Sequence, residues 1–125
     1  RRVWSWAADR FGTPENFFSR FFIMNYCPLA FLEEGGRNRT PNKLPKAERD
    51  KLQEACDKAL RDTVELLEVQ NFICIGKYVE TQALRALKGM DITIGRITHP
   101  SPANPAANRG CVPRIEEELS RQGLL

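Results

Sequence analysis

Three short apolar runs, separated by longer stripes of helical period, limit most strictly what this chain can fold into. The runs are residues 21–26 (Phe21, Phe22, Ile23, Met24, Asn25, Tyr26), residues 72–75 (Phe72, Ile73, Cys74, Ile75) and residues 91–98, with Ile92, Ile94 and Ile97. Apolar runs this short, nearly uninterrupted by polar residues, read as strands buried on both faces. Between the first two lies a stripe from Lys46 to about Leu67, with Leu52, Ala55, Cys56, Ala59, Leu60, Val64 and Leu67 on one face and charged residues opposite. Between the last two, Val79, Ala83, Leu84 and Leu87 mark another helix, opened by Gly76 and closed by Gly89. Strands joined through helices are parallel, because a tight turn cannot return the chain to the same end. The expected fold class is therefore α/β, a parallel sheet with helices on its faces. Three strands are few for such a sheet and leave an apolar edge unpaired. The chain, residues 1–125, is thus expected to be part of one larger α/β domain.

The flanks follow from local signals. Residues 2–11 carry Val3, Trp4, Ala7, Ala8 and Phe11 at helical spacing and end at Gly12. Thr13-Pro14-Glu15 supplies a cap, a proline at the first helical position and an acid, predicting a short helix to about Arg20. Cys27-Pro28 ends the first strand, and residues 33–45 read as a long polar loop. A last helix is predicted from Pro113, with Glu116, Glu117 and Glu118 in its early turns, Arg121 near its end and Gly123 as its stop.

Composition narrows the class. A chain of 125 residues is the size of one domain. No apolar run approaches the ~20 residues of a membrane span, and no N-terminal segment resembles a signal peptide. The chain begins with Arg1 and so reads as processed or as a piece of something longer. A net charge of +3 is compatible with a nucleic-acid partner without requiring one. Placement says more, since Arg37, Arg39, Lys43 and Lys46 cluster in one Gly/Asn/Pro-rich stretch, where phosphate contacts are useful. The four cysteines lack the close spacing of a metal knuckle. Cys56 and Cys74 fall on apolar faces and act as small hydrophobes, so the expectation is a reduced, intracellular protein, in the nucleus if eukaryotic and the cytoplasm if bacterial.

Two polar residues stand at strand ends. His99, the only histidine, closes the third run and is followed by Pro100, Pro102 and Pro105, which stiffen the backbone. Asn25 lies near the end of the first run. Its amide sets one acceptor beside two donors, which matches the N3–H and O4 edge of uracil and mismatches cytosine. In a parallel sheet both residues share the rim where α/β proteins place ligands. Gly76-Lys77 is no phosphate loop, since Asn71 stands where such a loop needs its first glycine.

His99-Pro100-Ser101-Pro102 after a strand resembles the second signature of the uracil-DNA glycosylase superfamily. The run through Asn104-Pro105, Ala107-Asn108 and Gly110 is similar to its single-strand-selective monofunctional branch. So, in the same order, are Asn25-Tyr26-Cys27-Pro28-Leu29, Gly36-Arg37-Asn38-Arg39-Thr40-Pro41, Leu44-Pro45 and Ile75-Gly76-Lys77-Tyr78. The resemblance covers essentially the whole chain. It implies a three-layer α/β/α fold with a four-stranded parallel sheet, of which this chain supplies three strands as the C-terminal half. It implies hydrolysis of the N-glycosidic bond of uracil, or of a 5-modified uracil, in DNA base-excision repair, with no metal or cofactor.

Residue by residue, the resemblance gives His99 the hydrogen bond to uracil O2 as the bond breaks, and Asn25 the reading of the base. Residues 102–110, among them Pro102, Ala103, Asn104, Asn108, Arg109 and Gly110, correspond to the wedge that enters the duplex when the nucleotide flips. Ser101 and nearby amides would hold phosphate. Arg37, Arg39 and Arg109 are further expected phosphate contacts from their loop positions. Two departures are visible: Ala103 stands where relatives often carry arginine or another bulky residue, and Cys111 stands where they commonly carry tryptophan. The family's first signature, an Asn-Pro-Gly loop that positions water, has no counterpart before Trp4, so hydrolysis is expected of the complete protein. The expected partners are uracil-containing DNA, single- or double-stranded, and the N-terminal half of the same domain or a strand-exchanged copy; no membrane is expected. The competing readings are a non-catalytic DNA-binding fragment and a relative acting on deaminated purines.

Overall fold

The second and third apolar runs pair in parallel, and the first does not join them. The computed structural model describes residues 2–101 and 110–125. In chain order the elements are α1 (Arg2–Phe11), α2 (Pro14–Phe18), β1 (Phe31–Leu32), β2 (Asn38–Arg39), a 3₁₀ turn (Pro41–Lys43), α3 (Lys46–Leu66), β3 (Asn71–Ile75), α4 (Lys77–Ala86), β4 (Thr93–Ile97) and α5 (Cys111–Arg121). β3 and β4 are parallel, registered from Asn71 opposite Thr93 to Ile75 opposite Ile97. β1 and β2 form a small antiparallel hairpin, with Phe31 opposite Arg39 and Leu32 opposite Asn38. The stretch expected to be an irregular loop thus folds back on itself.

Alternation along β3 and β4 sends side chains to two separate cores. Ile73, Ile75 and Ile97 join Trp6, Ala7, Phe17, Ile115 and Leu119, contributed by α1, α2 and α5. Phe72, Cys74 and Ile94 join Leu60, Val64, Ala83, Ala86 and Leu87, contributed by α3, α4 and the turn after it. Leu60, Leu87, Ile115 and Cys74 are essentially inaccessible. Burying each of these leucines or isoleucines contributes ~1.5–3 kcal/mol, far more than the helices hold by propensity alone.

Residues 21–26 were expected to be a third strand. They are not in a regular ladder, and among the described residues no backbone hydrogen bond joins residues 22–30 to β3. The segment keeps a strand's alternation nonetheless. Phe21 and Ile23 pack on the α1–α2–α5 core, and Met24 and Tyr26 on the α3–α4 core. Its hydrophobic pattern is satisfied by the two cores, while the hydrogen bonds that define a strand need a neighbouring backbone.

Two helices are rotated from their expected faces. α1 buries Trp6 and Ala7 and leaves Trp4 51% exposed, because Trp6 packs edge-on against Phe11 and Phe17 and donates its Nε1–H to Glu116 at 3.3 Å. α3 buries Asp57 with Cys56, Leu60 and Val64, while Ala55, Ala59 and Leu67 face solvent. α5 begins at Cys111, two residues before Pro113, with Gly110 as its cap. It lies close on β4, since a Cβ at Gly95 would sit 1.5 Å from Gln122 Oε1.

Candidate functional site

β3 ends where the chain must turn sharply into α4, and Gly76 makes that turn. Its φ of 93° with ψ of 165° is a conformation essentially open only to glycine. The Gly76 N–H extends the parallel ladder by one bond, to Ile97 O at 3.0 Å. Gly76 also makes room: a Cβ there would meet His99 Cβ at 3.0 Å and Cδ2 at 3.2 Å. The imidazole of His99 therefore lies against the strand-to-helix turn at the C-terminal end of the sheet, as the sequence predicts.

Contacts from Glu118, Arg2 and Ser101 surround His99. Glu118 of α5 clasps the preceding residue with both oxygens, accepting from Thr98 N–H at 2.8 Å and from Thr98 Oγ1 at 2.9 Å. Arg2 donates to Pro100 O at 3.4 Å. Ser101 N–H donates to His99 Nδ1 at 3.1 Å. The last contact fixes the chemistry of the ring: with Nδ1 accepting, a neutral imidazole carries its proton on Nε2 and acts there as a donor. His99 itself is exposed.

Asn25 is also exposed, and among the described residues its side-chain amide has no hydrogen-bond partner. It lines a cavity of about 300 Å³ with Tyr26, Arg39, Thr40, Tyr78 and Val79. That volume is at the lower end for small-molecule sites. Tyr78 and Val79 lie in the first turn of α4, directly after Gly76. Asn25 and His99 therefore reach the same turn by different contacts, Asn25 through a shared cavity and His99 through direct packing.

The wall of this cavity is built by the β1–β2 hairpin. Arg39 is half-buried there, donates to Lys43 O at 2.7 Å and lies 3.8 Å from Glu33. Arg37 is exposed at the hairpin. Ser101 is half-buried beside His99. The expected wedge residues Pro102, Ala103, Asn104, Asn108 and Arg109 lie outside the described residues; Gly110 caps α5.

Tyr26, next to Asn25 in the chain, enters a polar network that periodicity alone did not reveal. Tyr26 OH donates to Asp57 Oδ1 at 2.6 Å, and Arg85 Nε and Nη2 reach Asp57 Oδ2 and Oδ1 at 3.0 and 2.8 Å. Arg85 Nη2 also donates to Tyr26 OH at 3.1 Å. Burial acts to raise the Asp57 carboxyl. The bonds from Arg85 and Tyr26, with the charges of Arg85 and Arg61, outweigh it and hold the group below its ordinary value. Burial and then the Asp57 bond push the Tyr26 phenol well above its usual range. The network ties the Asn25 segment to α3 and α4 together. A signal was present in the sequence, since Asp57, Leu60 and Val64 stand at i, i+3 and i+7, which puts an acid on the apolar face.

Two parallel strands flanked by helices, with His99 packed on the turn at their C-terminal end, define a mixed α/β chain. Over an alignment of 126 residues, covering 99% of the chain, it is 40% identical to a rat protein named single-strand selective monofunctional uracil-DNA glycosylase. Mouse and bovine proteins of the same name are each 39% identical over 99% of the chain. The chain is thus homologous to these proteins, matching their C-terminal half, and it spans 45–46% of their length. No family model matches it. Among the described residues no helix is long and apolar enough to cross a membrane.

Proposed function

We infer that this chain is the C-terminal part of a monofunctional DNA glycosylase that hydrolyses the N-glycosidic bond of uracil, or a 5-modified uracil, in DNA. The observation that carries this reading is the Ser101 N–H to His99 Nδ1 bond of 3.1 Å, which occupies Nδ1 and leaves Nε2 as the ring's donor atom at the sheet rim. When the glycosidic bond breaks, the bonding pair leaves with the base, and the pyrimidine becomes an anion delocalised over O2, N3 and O4. A donor already oriented at O2 stabilises that charge more than it stabilises the neutral substrate, and so lowers the barrier. The Asn25 amide would read the opposite edge, accepting from N3–H and donating to O4. Cytosine presents an acceptor and a donor in those places, so an amide held in this orientation by the complete protein leaves two mismatched polar groups in the cavity.

The attacking water requires its own positioning group. The resemblance assigns this to a loop in the part of the relatives' length that lies outside the match. In this reading the two-stranded ladder belongs to a larger parallel sheet in a three-layer α/β/α fold. Residues 21–26 would be a further strand, one strand's width from β3. Their alternation between the two cores supports this, as does the absence of a ladder to β3 among the described residues. The N-terminal half of the domain, or a strand-exchanged copy, would fill the gap. Such an enzyme acts on DNA inside the cell, in the nucleus if eukaryotic and the cytoplasm if bacterial.

The test is single-turnover base release by the full-length protein from oligonucleotides carrying uracil, 5-hydroxymethyluracil, cytosine or hypoxanthine. Release of uracil and its 5-modified relative without cytosine supports the reading. Hypoxanthine release alone makes it a purine enzyme, and DNA binding with no release makes it a binding module.

A further inference from the structure

Tyr26 and Cys27, consecutive on one segment, face Asp57 and Cys56, consecutive on α3. Tyr26 is bonded to Asp57 at 2.6 Å, which fixes the register of the two segments. One step away, Cys56 and Cys27 come close enough for Cys27 to raise the Cys56 thiol, after burial, which is the larger cause. Both thiols line a cavity of about 170 Å³ whose polar wall includes Arg49, Gln53 and Gln82. The two cysteines differ in access: Cys27 is half-buried and Cys56 buried. The uracil reading uses neither of them.

We propose that Cys27 and Cys56 form a two-thiol redox site that exchanges with a small anionic disulfide of the glutathione type. Cys27 is the entry point, because it is the more accessible sulfur. The Cys56 thiol is pushed up to about 11, by burial first and by the neighbouring Cys27 second. The Cys27 thiolate attacks one sulfur of oxidised glutathione. An S–S bond forms to Cys27, and one glutathione leaves as thiolate. Cys56 then attacks the Cys27 sulfur, releasing the second glutathione and closing the Cys27–Cys56 bond. The two protein thiols give up two protons and two electrons, and one glutathione disulfide becomes two glutathiones. Arg49, a half-buried cation on the cavity wall that also donates to Asn42 O at 3.4 Å, suits the carboxylates of such a disulfide. Closure adds a covalent tie beside the Tyr26–Asp57 bond and fastens the segment carrying Asn25 to α3. Disulfides in reducing compartments are typically transient and redox-sensing, and one formed by exchange from a contact pair is reversible in that way.

The full-length protein is titrated with oxidised glutathione, quenched with a maleimide and mapped by mass spectrometry after proteolysis. The expected result is loss of two maleimide-reactive thiols per chain, recovery of the Cys27 and Cys56 peptides as one cross-linked species, and full reversal by dithiothreitol. Cys56→Ser should stop at a stable glutathione adduct on Cys27. Cys27→Ser should leave Cys56 reduced, and it keeps the test valid if the buried Cys56→Ser substitution does not fold. A stable glutathione adduct on wild-type Cys27, a cross-link to Cys74 or Cys111, or oxidation of Cys56 that survives Cys27→Ser overturns the proposal. Because the readout is thiol chemistry, it is independent of uracil release.

Discussion

Replacing Asp57 by asparagine tests whether the buried polar network holds the base-reading segment in place. Asp57 is 9% exposed and accepts three bonds, one from Tyr26 and two from Arg85. In Asp57→Asn one carboxylate oxygen becomes an NH₂ group that faces the Arg85 donors, and the charge that assists the remaining bonds is lost. Breaking one partner of a fully buried ion pair costs ~3–5 kcal/mol. The Arg85 side chain is 38% exposed and can recover solvation, so the expected loss falls to about 2–3 kcal/mol. In the full-length protein, at ~2–4 °C per kcal/mol, that lowers the melting temperature by about 4–12 °C. Urea unfolding of full-length wild type, Asp57→Asn, Tyr26→Phe and the double variant measures both the loss and the coupling. Tyr26→Phe alone should cost ~1–2 kcal/mol, and less in the Asp57→Asn background, because its acceptor is already weakened.

The pH dependence follows from the direction in which Asp57 is shifted. Its carboxyl is held below the ordinary 3.8, so the unfolded chain takes up the proton first as pH falls. The stabilisation is therefore complete above that ordinary value and is lost as pH falls through the lower folded-state value. Wild type and Asp57→Asn should differ by a constant amount near neutrality and converge only in strong acid. A neutral-pH loss below ~0.5 kcal/mol, the range of ordinary surface substitutions, would refute the reasoning. So would additive single variants or a gap that widens in acid.

Four further outcomes bear on the site. His99→Ala in the full-length enzyme should slow single-turnover uracil release by ~10²–10³ with little change in DNA affinity, an effect that persists above neutral pH; equal losses in release and binding would make the residue structural. Asn25→Asp should weaken uracil release and selectivity by ~2–4 kcal/mol in transition-state binding, because an ionised carboxylate only accepts; unaltered selectivity against cytosine removes Asn25 from the pocket. Gly76→Ala should cost ~1–3 kcal/mol in unfolding free energy from its φ of 93° and displace His99, so release should fall further than stability explains; a thermal melt beside the release assay separates the two effects. Alanine at Arg37, Arg39 or Arg109 should each lower the salt slope of DNA affinity by about one unit, and a slope unchanged by all three places them off the DNA face.

The sequence by itself determined the α/β class, the parallel pairing of β3 with β4, the sharp turn at Gly76 and the strand-end position of His99. Each depends on local pattern: apolar runs of strand length, helical stripes between them, a glycine where the chain reverses. The tertiary structure decided what depends on neighbours distant in the chain. α1 turned Trp6 inward because Glu116, 110 residues away, offers its indole a partner. Asp57 could be buried because Tyr26 and Arg85 converge on it from other elements. Only the fold placed Glu118 against Thr98 and so oriented the residue that precedes His99. Residues 21–26 show the boundary most clearly. Their side-chain alternation is written in the sequence, but a ladder needs a second backbone alongside, and no pattern internal to six residues can supply one.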